Sequence, residues 1–454
     1  MFLIHSDVLV IGGSAAGLAA AITIRRQYPA KKVSLIRKTD MVPIPAGIPY
    51  ALGTLASPDD NLFSGSLLEE NGVKVFTGEA VRIDREGRMV ELGNGDTIGY
   101  ERLVLATGSR PAILPVPGFD LARVFTIDKD RDAVQRLRTE LKAIGKLAII
   151  GGGFIGVELA LECRKAGVGE VTIVEHRPRC LGAYFDEEFC SAAEGELTRA
   201  GIHLQAGLGV KEFKGKDRVE CVVLSNGCQL AVDAVIFAVG SVPDAGLAKI
   251  SGLGLGPTGG VDVDRNMQTS DPRIFAAGDC AEKVSFFGGK PLPVKLASIA
   301  CAEARIAGAN LFGLRREHPG TIGAWATVAG KLALAAAGLS ETGAREQGYD
   351  CVAGTCAAPN RHPETMPGAE RTTVKLVFER RTGVLLGAQV MGGPAVCEMV
   401  NMLSVCIQQR MTFDDIATFQ FGTHPALSGS PLTYQTVVAA ELALESAVSA
   451  SGGK

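Results

Sequence analysis

The stretch VLVIGGSAAG runs from Val8 to Gly17, and a similar stretch, LAIIGGGFIG, runs from Leu147 to Gly156. Each is an apolar, β-branched run that breaks into a Gly-rich turn and continues as a helix-forming segment. This arrangement lays a dinucleotide pyrophosphate against backbone N–H groups and a helix N-terminus. One match would be weak evidence. Two on one chain predict an α/β protein with two Rossmann-like nucleotide-binding domains.

A third motif, IFAAGDC, runs from Ile274 to Cys280 and is a short strand that leads into Gly-Asp. An aspartate at Asp279 can accept hydrogen bonds from ribityl hydroxyls at the start of a helix, near a flavin pyrophosphate. A lone Gly-Asp after a strand is more often a turn than a site. Because this motif follows two nucleotide-binding motifs in the sequence, the flavin-binding interpretation is favoured. The order of the three motifs predicts an electron-transfer flavoenzyme.

The chain contains a divergent internal repeat. A strand Leu103–Ala106 runs into TGSRP, and a later strand Ala234–Ala238 runs into VGSVP. The Asp279 segment must return to the flavin of the first unit. We therefore expect the second nucleotide domain to be an insertion within the first.

The pattern changes after about Gly320, where the Gly-rich turn motifs stop. Two strands, Val374–Phe378 and Leu385–Val390, followed by a helix over Ala395–Gln409, predict a separate α+β unit. The expected boundaries are 1–113 and 246–320 for an FAD-binding domain, 114–245 for an NAD(P)-binding domain, and 321–454 for a C-terminal dimerisation domain.

Composition narrows the possible function. The 454 residues carry a formal net charge of -3 and no long basic run, so nothing favours a nucleic-acid partner. No uncharged apolar run reaches the ~18 residues of a membrane span. The N-terminal segment carries Asp7 and the Gly-rich turn itself, which argues against a signal peptide. An odd number of cysteines, 11, indicates reduced thiols in the cytoplasm.

In the first fingerprint Gly12 makes the tight turn, Ser14 replaces the close-approach glycine, and Gly17 permits helix–strand packing. Arg37 ends the second strand, where an acidic residue would normally bind a ribose. Arg37 either contacts the adenine or a phosphate, or it is a solvated charge at a strand end. The adjacent Lys38 fits either interpretation.

The second fingerprint fills its three glycine positions with Gly151, Gly153 and Gly156. Glu175 closes the following strand, where a carboxylate accepts hydrogen bonds from a ribose 2′-OH and repels a 2′-phosphate. This residue favours NADH. The neighbouring His176 and Arg177 leave room for NADPH.

The motif order, the segments ATGSRP, AVGSVPD and GDCAE, and the late segment THPALS together resemble the flavoprotein pyridine nucleotide-disulfide oxidoreductase family. The resemblance covers nearly the whole chain. AGIPYALGT (Ala46 to Thr54) is most similar to the branch of CoA-disulfide reductases, persulfide reductases and NADH oxidases. The resemblance implies bound FAD, NADH as reductant, and a homodimer built on the C-terminal domain.

The resemblance also implies roles for individual residues. The FAD would be lined by Gly12, Ser14, Ala15, Gly17, Arg37, Lys38, Thr107, Gly108, Asp279, Leu296 and Ala297. The NAD would be lined by Gly151, Gly153, Phe154, Ile155, Gly156, Glu175 and Gly240. Phe154 corresponds to an aromatic gate over the nicotinamide pocket, and Glu158 to an acid near the nicotinamide ring. His424 matches a histidine that many members extend toward the partner's flavin, although the usual glutamate after it is absent.

Ala46 is the main departure from the family pattern, because the branch normally has a cysteine before Gly-Ile-Pro-Tyr. Alanine cannot form a thiolate, a sulfenic acid or a mixed disulfide. No cysteine occurs before Cys163. Ala15 likewise replaces the histidine of peroxidases and water-forming oxidases in the branch. Tyr50 and His424 remain as candidate polar groups at the acceptor face.

The main hypothesis is an FAD-dependent NAD(P)H oxidoreductase that passes hydride from NADH to flavin and on to an unidentified acceptor. That acceptor could be O2, a quinone, a redox protein or an organic substrate. The alternative is a CoA-disulfide or persulfide reductase whose nucleophilic cysteine is replaced at Ala46. A third hypothesis, from another class, is a non-catalytic nucleotide-sensing or scaffold flavoprotein.

Overall fold

Strands and helices alternate through the first two thirds of the chain, and antiparallel strands dominate the last third. The computed structural model describes residues 3–451. Up to residue 143 the elements are β1 (Leu3–Ile11), α1 (Ala15–Gln27), β2 (Val33–Arg37), α2 (Ile48–Leu52), α3 (Ser66–Glu70), β3 (Lys74–Thr77), β4 (Ala80–Asp84), β5 (Met89–Leu92), β6 (Thr97–Leu105), β7 (Ser109–Pro111), β8 (Val124–Thr126) and α4 (Arg131–Leu141). Two 3-10 turns, Pro45–Gly47 and Pro58–Asn61, flank α2.

The middle third contains the second run of alternating elements. They are β9 (Lys146–Ile150), α5 (Phe154–Lys165), β10 (Glu170–Glu175), α6 (Glu187–Arg199), β11 (Ile202–Ala206), β12 (Val210–Lys214), β13 (Cys221–Leu224), β14 (Gln229–Ala231), β15 (Ala234–Phe237), β16 (Ser241–Pro243), α7 (Gly246–Ile250), β17 (Ile274–Ala276) and α8 (Ala297–Asn310). The C-terminal third contains β18 (Ala324–Ala329), β19 (Leu332–Gly338), α9 (Glu341–Glu346), β20 (Cys351–Pro359), β21 (Arg371–Glu379), β22 (Leu385–Gly392), α10 (Val396–Gln408), α11 (Phe413–Ala417), a 3-10 turn (Pro431–Thr433) and α12 (Gln435–Ser451).

The chain divides into two compact units. The first comprises residues 1–114, 125–143 and 239–321, and the second comprises 115–124, 144–238 and 322 onward. The first unit is therefore discontinuous in sequence. Helix α4 lies within its 125–143 segment, whereas the expected NAD(P) domain was to begin at residue 114.

The first unit is built on a sheet of order β3-β2-β1-β6-β5-β4, with β17 paired to β6. The pairs β1–β2, β1–β6 and β17–β6 are parallel, as expected for strands linked by crossovers. The residues Val8 to Val10 are fully buried because a parallel sheet is covered on both faces. Pairing of Ile274 with Leu103 returns the third motif to the first sheet, as the sequence predicted.

Helices α1 and α8 of the first unit pack closely because both are rich in small residues. Ala20, Ala21, Ala304 and Ala307 are fully buried in the same core. A methyl group on Gly308 would lie 3.2 Å from the carbonyl oxygen of Ala20. Close packing of α1 and α8 fixes the position of their N-termini, Ala15 and Ala297, relative to each other.

The second unit contains a parallel sheet in which β11, β10, β9 and β15 follow one another, with β8 beside β15. Its C-terminal part is an antiparallel sheet of order β18-β19-β22-β21-β20. Helix α10 packs on β19 and β22, and α12 packs on β20 and β21. These elements confirm the predicted fold class of two Rossmann-like domains, the second inserted in the first, and an α+β C-terminal domain.

Candidate functional site

The first Gly-rich turn is closed by direct backbone packing. Gly12 has a φ of +127°, and a Cβ there would lie 2.0 Å from the carbonyl oxygen of Ala106. A Cβ on Gly17 would lie 1.9 Å from the carbonyl oxygen of Gly12. Helix α1 begins at Ala15 after Ser14, with no side-chain cap and no acidic residue in its first turn. Its N-terminal N–H groups therefore fit a phosphate anion.

Arg37 lies across this turn. A Cβ on Gly13 would be 2.7 Å from Arg37 Cβ and 3.2 Å from Cδ. The Arg37 side chain is 13% exposed and donates to Asp40 at 2.9 Å, while its buried Nε lacks a partner. The exposed partner Asp40 is compatible with a solvated charge, whereas the unused Nε donor favours a ligand contact. A half-buried guanidinium with an unused donor beside an uncapped helix N-terminus fits a bound dinucleotide.

Three further predicted residues follow the strands that pair with β1. Lys38 follows β2, and Thr107 and Gly108 follow β6. Lys38 is exposed and pairs with Glu79 at 2.7 Å. The Thr107 hydroxyl donates to the carbonyl of Asp244 at 2.6 Å, and Gly108 accepts from the Asp244 N–H at 2.9 Å. These bonds fix the loop that follows β6, next to the first turn.

Asp279 occupies a polar cluster with Ser109 and Lys129. Ser109 donates to Asp279 at 2.7 Å, and Lys129 Nζ lies 3.1 Å from the same carboxylate oxygen. Burial alone would raise the pKa of Asp279, but Lys129 and Ser109 together hold it below its usual range. The ionised form is therefore favoured, and the Asp279 carboxylate is an acceptor that ribityl hydroxyls could use.

Leu296 and Ala297 mark the start of α8. Leu296 is the N-cap residue, without a side-chain cap, and no acidic residue lies in the first turn. Glu303, on this helix, forms an ion pair with Lys283 at 3.1 Å, and both side chains are 2% exposed. Glu303 also accepts from the Gly278 N–H at 2.8 Å. The pair ties the Gly-Asp turn to α8, which sequence inspection did not single out.

Ala46 lies in the 3-10 turn Pro45–Gly47, and its side chain is exposed. Tyr50, in α2, is half-buried. Asn61 Nδ2 donates to the carbonyl of Ile44 at 3.0 Å, and Asn61 Oδ1 would lie 1.9 Å from a Cβ on Gly47. The Asn61 side chain therefore holds the turn that contains Ala46 from one side.

Two cysteines of the first unit, Cys280 and Cys301, lie near the predicted flavin side. Cys280 Sγ contacts the carbonyl oxygens of Ala277 and Leu105 at 3.4 and 3.5 Å, and Cys301 Sγ lies 3.7 Å from that of Ala15. Burial raises the pKa of both thiols. A thiol whose pKa is raised is less often ionised, so both residues are poor nucleophiles.

The second Gly-rich turn repeats the geometry of the first. Gly151 has a φ of +109°, and a Cβ on Gly156 would lie 1.8 Å from the Gly151 carbonyl oxygen. Gly153 is the N-cap of α5, without a side-chain cap, and a Cβ there would meet nothing within 4 Å. Ile155, in the first turn of α5, is exposed. Gly240, which was also predicted to line the NAD, follows β15; it is exposed, and its carbonyl accepts from the Ala112 N–H. The open N-terminus of α5 fits a second pyrophosphate.

Glu175 is 5% exposed and is bonded to the turn itself. Its Oε2 accepts from the Gly152 N–H at 2.6 Å, and its Oε1 accepts from the Arg177 N–H at 2.7 Å. His176 Nδ1 lies 2.9 Å from Oε1, so Oε2 is the oxygen that retains a lone pair for a further donor. Glu175 thus braces the Gly-rich turn as well as presenting negative charge at the end of β10.

Three aromatic rings form a row that starts at Phe154. The Phe154 and Tyr184 rings are 4.7 Å apart, and the Tyr184 and Trp325 rings are 5.0 Å apart. The Trp325 ring covers Gly323, whose Cβ would lie 2.2 Å from it. The sequence analysis named Phe154 but missed its two neighbours, because Trp325 lies far away in the chain.

Glu158 follows Phe154 by one helical turn. The Thr327 hydroxyl donates to Glu158 Oε1 at 2.8 Å. Burial raises the pKa of Glu158 to about 7, the Thr327 hydrogen bond lowers it, and Glu162 raises it. The carboxyl therefore titrates near neutral pH, as a group that handles charge at a reacting ring would.

His424 is exposed, and its ring is fixed locally. Nδ1 accepts from the Ala426 N–H at 3.2 Å, and the His424 N–H donates to Ser428 Oγ at 3.1 Å. Gly429, which stands near the position of the family's glutamate, packs against the carbonyl of Pro359. Nε2 is left as the ring nitrogen that could meet a ligand.

Among residues 3–451, no group of His, Cys, Asp or Glu side chains has the arrangement of a metal site. In the same part of the chain, no helix combines the length and apolar character needed to cross a bilayer.

Comparison with known proteins identifies the family. Residues 6–304 match the pyridine nucleotide-disulphide oxidoreductase family, and residues 326–434 match the dimerisation domain of that family. The chain is 29% identical over 430 residues to an NADH oxidase of Methanocaldococcus jannaschii, which covers 92% of this chain and 95% of the relative. It is 32% identical over 391 residues to an NAD(P)H coenzyme A polysulfide/persulfide reductase of Pyrococcus horikoshii, covering 85% and 87%.

A solved structure with a similar fold is also an NADH oxidase. The water-forming NADH oxidase from Lactobacillus brevis, bound to NADH, superposes with a TM-score of 0.89 at 27% identity, covering 98% of this chain and all of that one. These relatives favour an enzyme over a non-catalytic scaffold. The chain is an oxidoreductase that belongs to the FAD-dependent pyridine nucleotide-disulphide oxidoreductase family.

Proposed function

We propose that this chain is an FAD-dependent NAD(P)H oxidoreductase that reduces its acceptor without a redox-active cysteine. FAD, when bound, accepts a hydride from reduced nicotinamide and returns the electron pair to an acceptor. The first unit would hold the FAD through the Gly12 turn, Arg37, Asp279 and the N-terminus of α8. The second unit would hold the nicotinamide nucleotide through the Gly151 turn, Glu175 and Phe154.

The observation that carries this proposal is Ala46 in an intact turn. A methyl side chain at this position offers neither a nucleophile nor a proton donor. Cys280 and Cys301 are protonated thiols held against backbone carbonyls. We propose the half-buried Tyr50 and the exposed His424 as polar contacts of the acceptor.

Anaerobic titration with NADH tests the proposal. We expect one equivalent of NADH to bleach the flavin fully, with no thiolate-to-flavin charge-transfer band. Uptake of a second hydride equivalent would show a second redox centre and would overturn the cysteine-free route. An acceptor screen of O2, quinones and disulfides, run after reduction, would identify the chemistry of the second half-reaction.

A second candidate is a CoA-disulfide or persulfide reductase from which only the nucleophile is missing. The exposed Ala46 side chain and the Asn61 contacts that keep the turn in shape favour it. Ala46→Cys should then confer NADH-dependent reduction of CoA disulfide or of a persulfide. If the variant gains a charge-transfer band but no such activity, this candidate loses its support.

We also propose the domain limits given above, NADH as the preferred nucleotide, a cytoplasmic location and a homodimer. Glu175 supports NADH through its charge at the end of β10. The match to the dimerisation domain supports the homodimer. Size measurement of the holoenzyme tests the homodimer directly.

A further inference from the structure

Strand β18 of the C-terminal part contributes a polar contact to helix α5. Thr327 Oγ1 donates to Glu158 Oε1 at 2.8 Å across 169 residues of sequence. Thr327 is 5% exposed, so water cannot readily replace its hydroxyl. Both residues belong to the second unit.

Glu158 is placed to act on the nicotinamide end of the site. It lies four residues after Phe154, so both side chains share one face of α5. This step rests on the proposed function, in which Phe154 gates the nicotinamide pocket. The Thr327 hydrogen bond fixes one of the two oxygens and leaves the other for a ligand.

The charged groups around Glu158 leave its carboxyl without a counter-ion of its own. Strand β18 carries no charged residue. On α5, Glu162 is bonded to Lys165 at 2.6 Å and repels Glu158. In the neighbouring sheet Lys146 pairs with Glu170, and Glu175 is held by backbone N–H groups. His203 lies on the far strand β11 and is exposed.

We infer that Thr327 is a positioning residue for Glu158: its hydrogen bond holds the carboxyl so that the site distinguishes the cationic ring of NAD⁺ from the neutral ring of NADH. An ionised Glu158 attracts the oxidised, positively charged nicotinamide, and a protonated one does not. The affinity for NAD⁺, the product, should therefore rise with pH while the affinity for a neutral nicotinamide stays nearly constant. Low pH would favour product release.

Binding to the oxidised holoenzyme tests the inference without turnover. The dissociation constants of NAD⁺ and of the redox-inert tetrahydro analogue of NADH would be measured by calorimetry from about pH 5 to about pH 9. We expect NAD⁺ to bind about fivefold more tightly at the upper end, with a midpoint near neutral pH. The analogue should show little change.

Substitutions assign the effect to the two residues. Thr327→Val removes a hydrogen bond that favours the carboxylate, so the midpoint should move up by about one pH unit. Thr327→Ser keeps the hydroxyl and should restore the wild-type midpoint. Glu158→Gln should abolish the pH dependence. Thr355→Val, at an exposed threonine of strand β20, is the matched control and should change nothing.

The outcomes separate this inference from the proposed function. If neither nucleotide binds at any pH, the proposed function itself fails. If both bind but Glu158→Gln keeps the pH dependence, the positioning role of Thr327 is overturned. A Thr327→Val variant that weakens both ligands equally, with an unchanged midpoint, would show a purely structural role and would also overturn it.

Discussion

At the scale of single residues, Glu175 combines two tasks that are usually described separately. Its carboxylate accepts from the Gly152 and Arg177 N–H groups, which braces the second Gly-rich turn. The same charge stands at the end of β10, where a 2′-phosphate would be repelled. Nucleotide choice and turn rigidity are therefore coupled through one side chain.

Glu175→Gln separates the two tasks, because the amide keeps an acceptor for Gly152 but loses the negative charge. We expect kcat/KM for NADPH to rise about tenfold relative to that for NADH. Steady-state kinetics with both nucleotides measure this ratio. Glu170→Gln, at the start of the same strand and paired with Lys146, is the control. An unchanged ratio in Glu175→Gln would contradict the charge argument.

The sequence was sufficient to name Glu175 and Glu158 but not the residues that act through them. Glu175 has a fixed spacing from its Gly-rich turn, which a local pattern captures. Thr327 reaches Glu158 across 169 residues, and Trp325 reaches Phe154 through Tyr184. No local spacing encodes such contacts, since they arise from packing between separate segments.

At the scale of elements, the turn at Pro45–Gly47 is held by Asn61 rather than by its own hydrogen bonds alone. Arg138 of helix α4 adds a second restraint, since it donates to the carbonyls of Ala51 and Leu55 at 2.8 and 2.9 Å. The segment expected to face the acceptor is thus fixed from two sides. These contacts are made by side chains other than that of Ala46.

Gly47→Ala should destabilise this turn. The new methyl group would lie 1.9 Å from Asn61 Oδ1, and Asn61 is itself held by Ile44. We expect a loss of about 1–3 kcal/mol in the free energy of unfolding, as for other overpacked sites. Thermal unfolding measures it. Gly65→Ala, where a Cβ meets nothing within 4 Å, should change stability by less than about 0.5 kcal/mol.

The elements that carry regular patterns were predicted well. The strand predicted over Val374–Phe378 spans Arg371–Glu379, and the helix predicted over Ala395–Gln409 spans Val396–Gln408. The 3-10 turns that flank α2 were not predicted, because three or four residues show no periodicity. The Asn61 contact was missed for the same reason.

At the scale of the whole molecule, Lys375 joins the nucleotide-binding and C-terminal parts of the second unit. Its Nζ lies 3.0 Å from Asp186, 2.8 Å from Glu188 and 2.9 Å from Glu341. Burial would raise the pKa of Asp186, but its hydrogen bonds and Lys375 hold it below the usual range. Asp186 therefore stabilises the folded unit above about pH 4, and this contribution is lost as the pH falls further.

Lys375→Met should cost about 3 kcal/mol at neutral pH, because it leaves the buried Asp186 carboxylate without a cation. The loss should shrink as the pH falls, since protonated carboxyls no longer need one. Urea unfolding followed by Trp325 fluorescence reports on this unit, because Trp325 is the only tryptophan in the sequence. Arg380→Met, which breaks an exposed pair with Asp350, should cost at most about 1 kcal/mol.

The proposed homodimer can be tested on the C-terminal domain. Leu427, in the THPALS segment, and Leu432, in the 3-10 turn Pro431–Thr433, are 81% and 88% exposed in the single chain. Large apolar side chains this exposed are typical of interfaces. Leu432→Asp should shift the holoenzyme toward monomer in sedimentation velocity. Leu314→Asp, at an exposed leucine of the first unit, should leave the association unchanged.

The short strands β7 and β16, which follow the loops after β6 and β15, bear on whether a domain of this chain can be exchanged. Strand β7 pairs antiparallel with β16, Ser109 opposite Pro243 and Pro111 opposite Ser241. Residues 112 and 240, at the two ends of the intervening segment, are therefore neighbours. A segment whose ends meet in this way can be exchanged as a cassette. Because residues 125–143 of that segment belong to the first unit, a graft at the β7–β16 ribbon that changes the cofactor preference would have to keep helix α4.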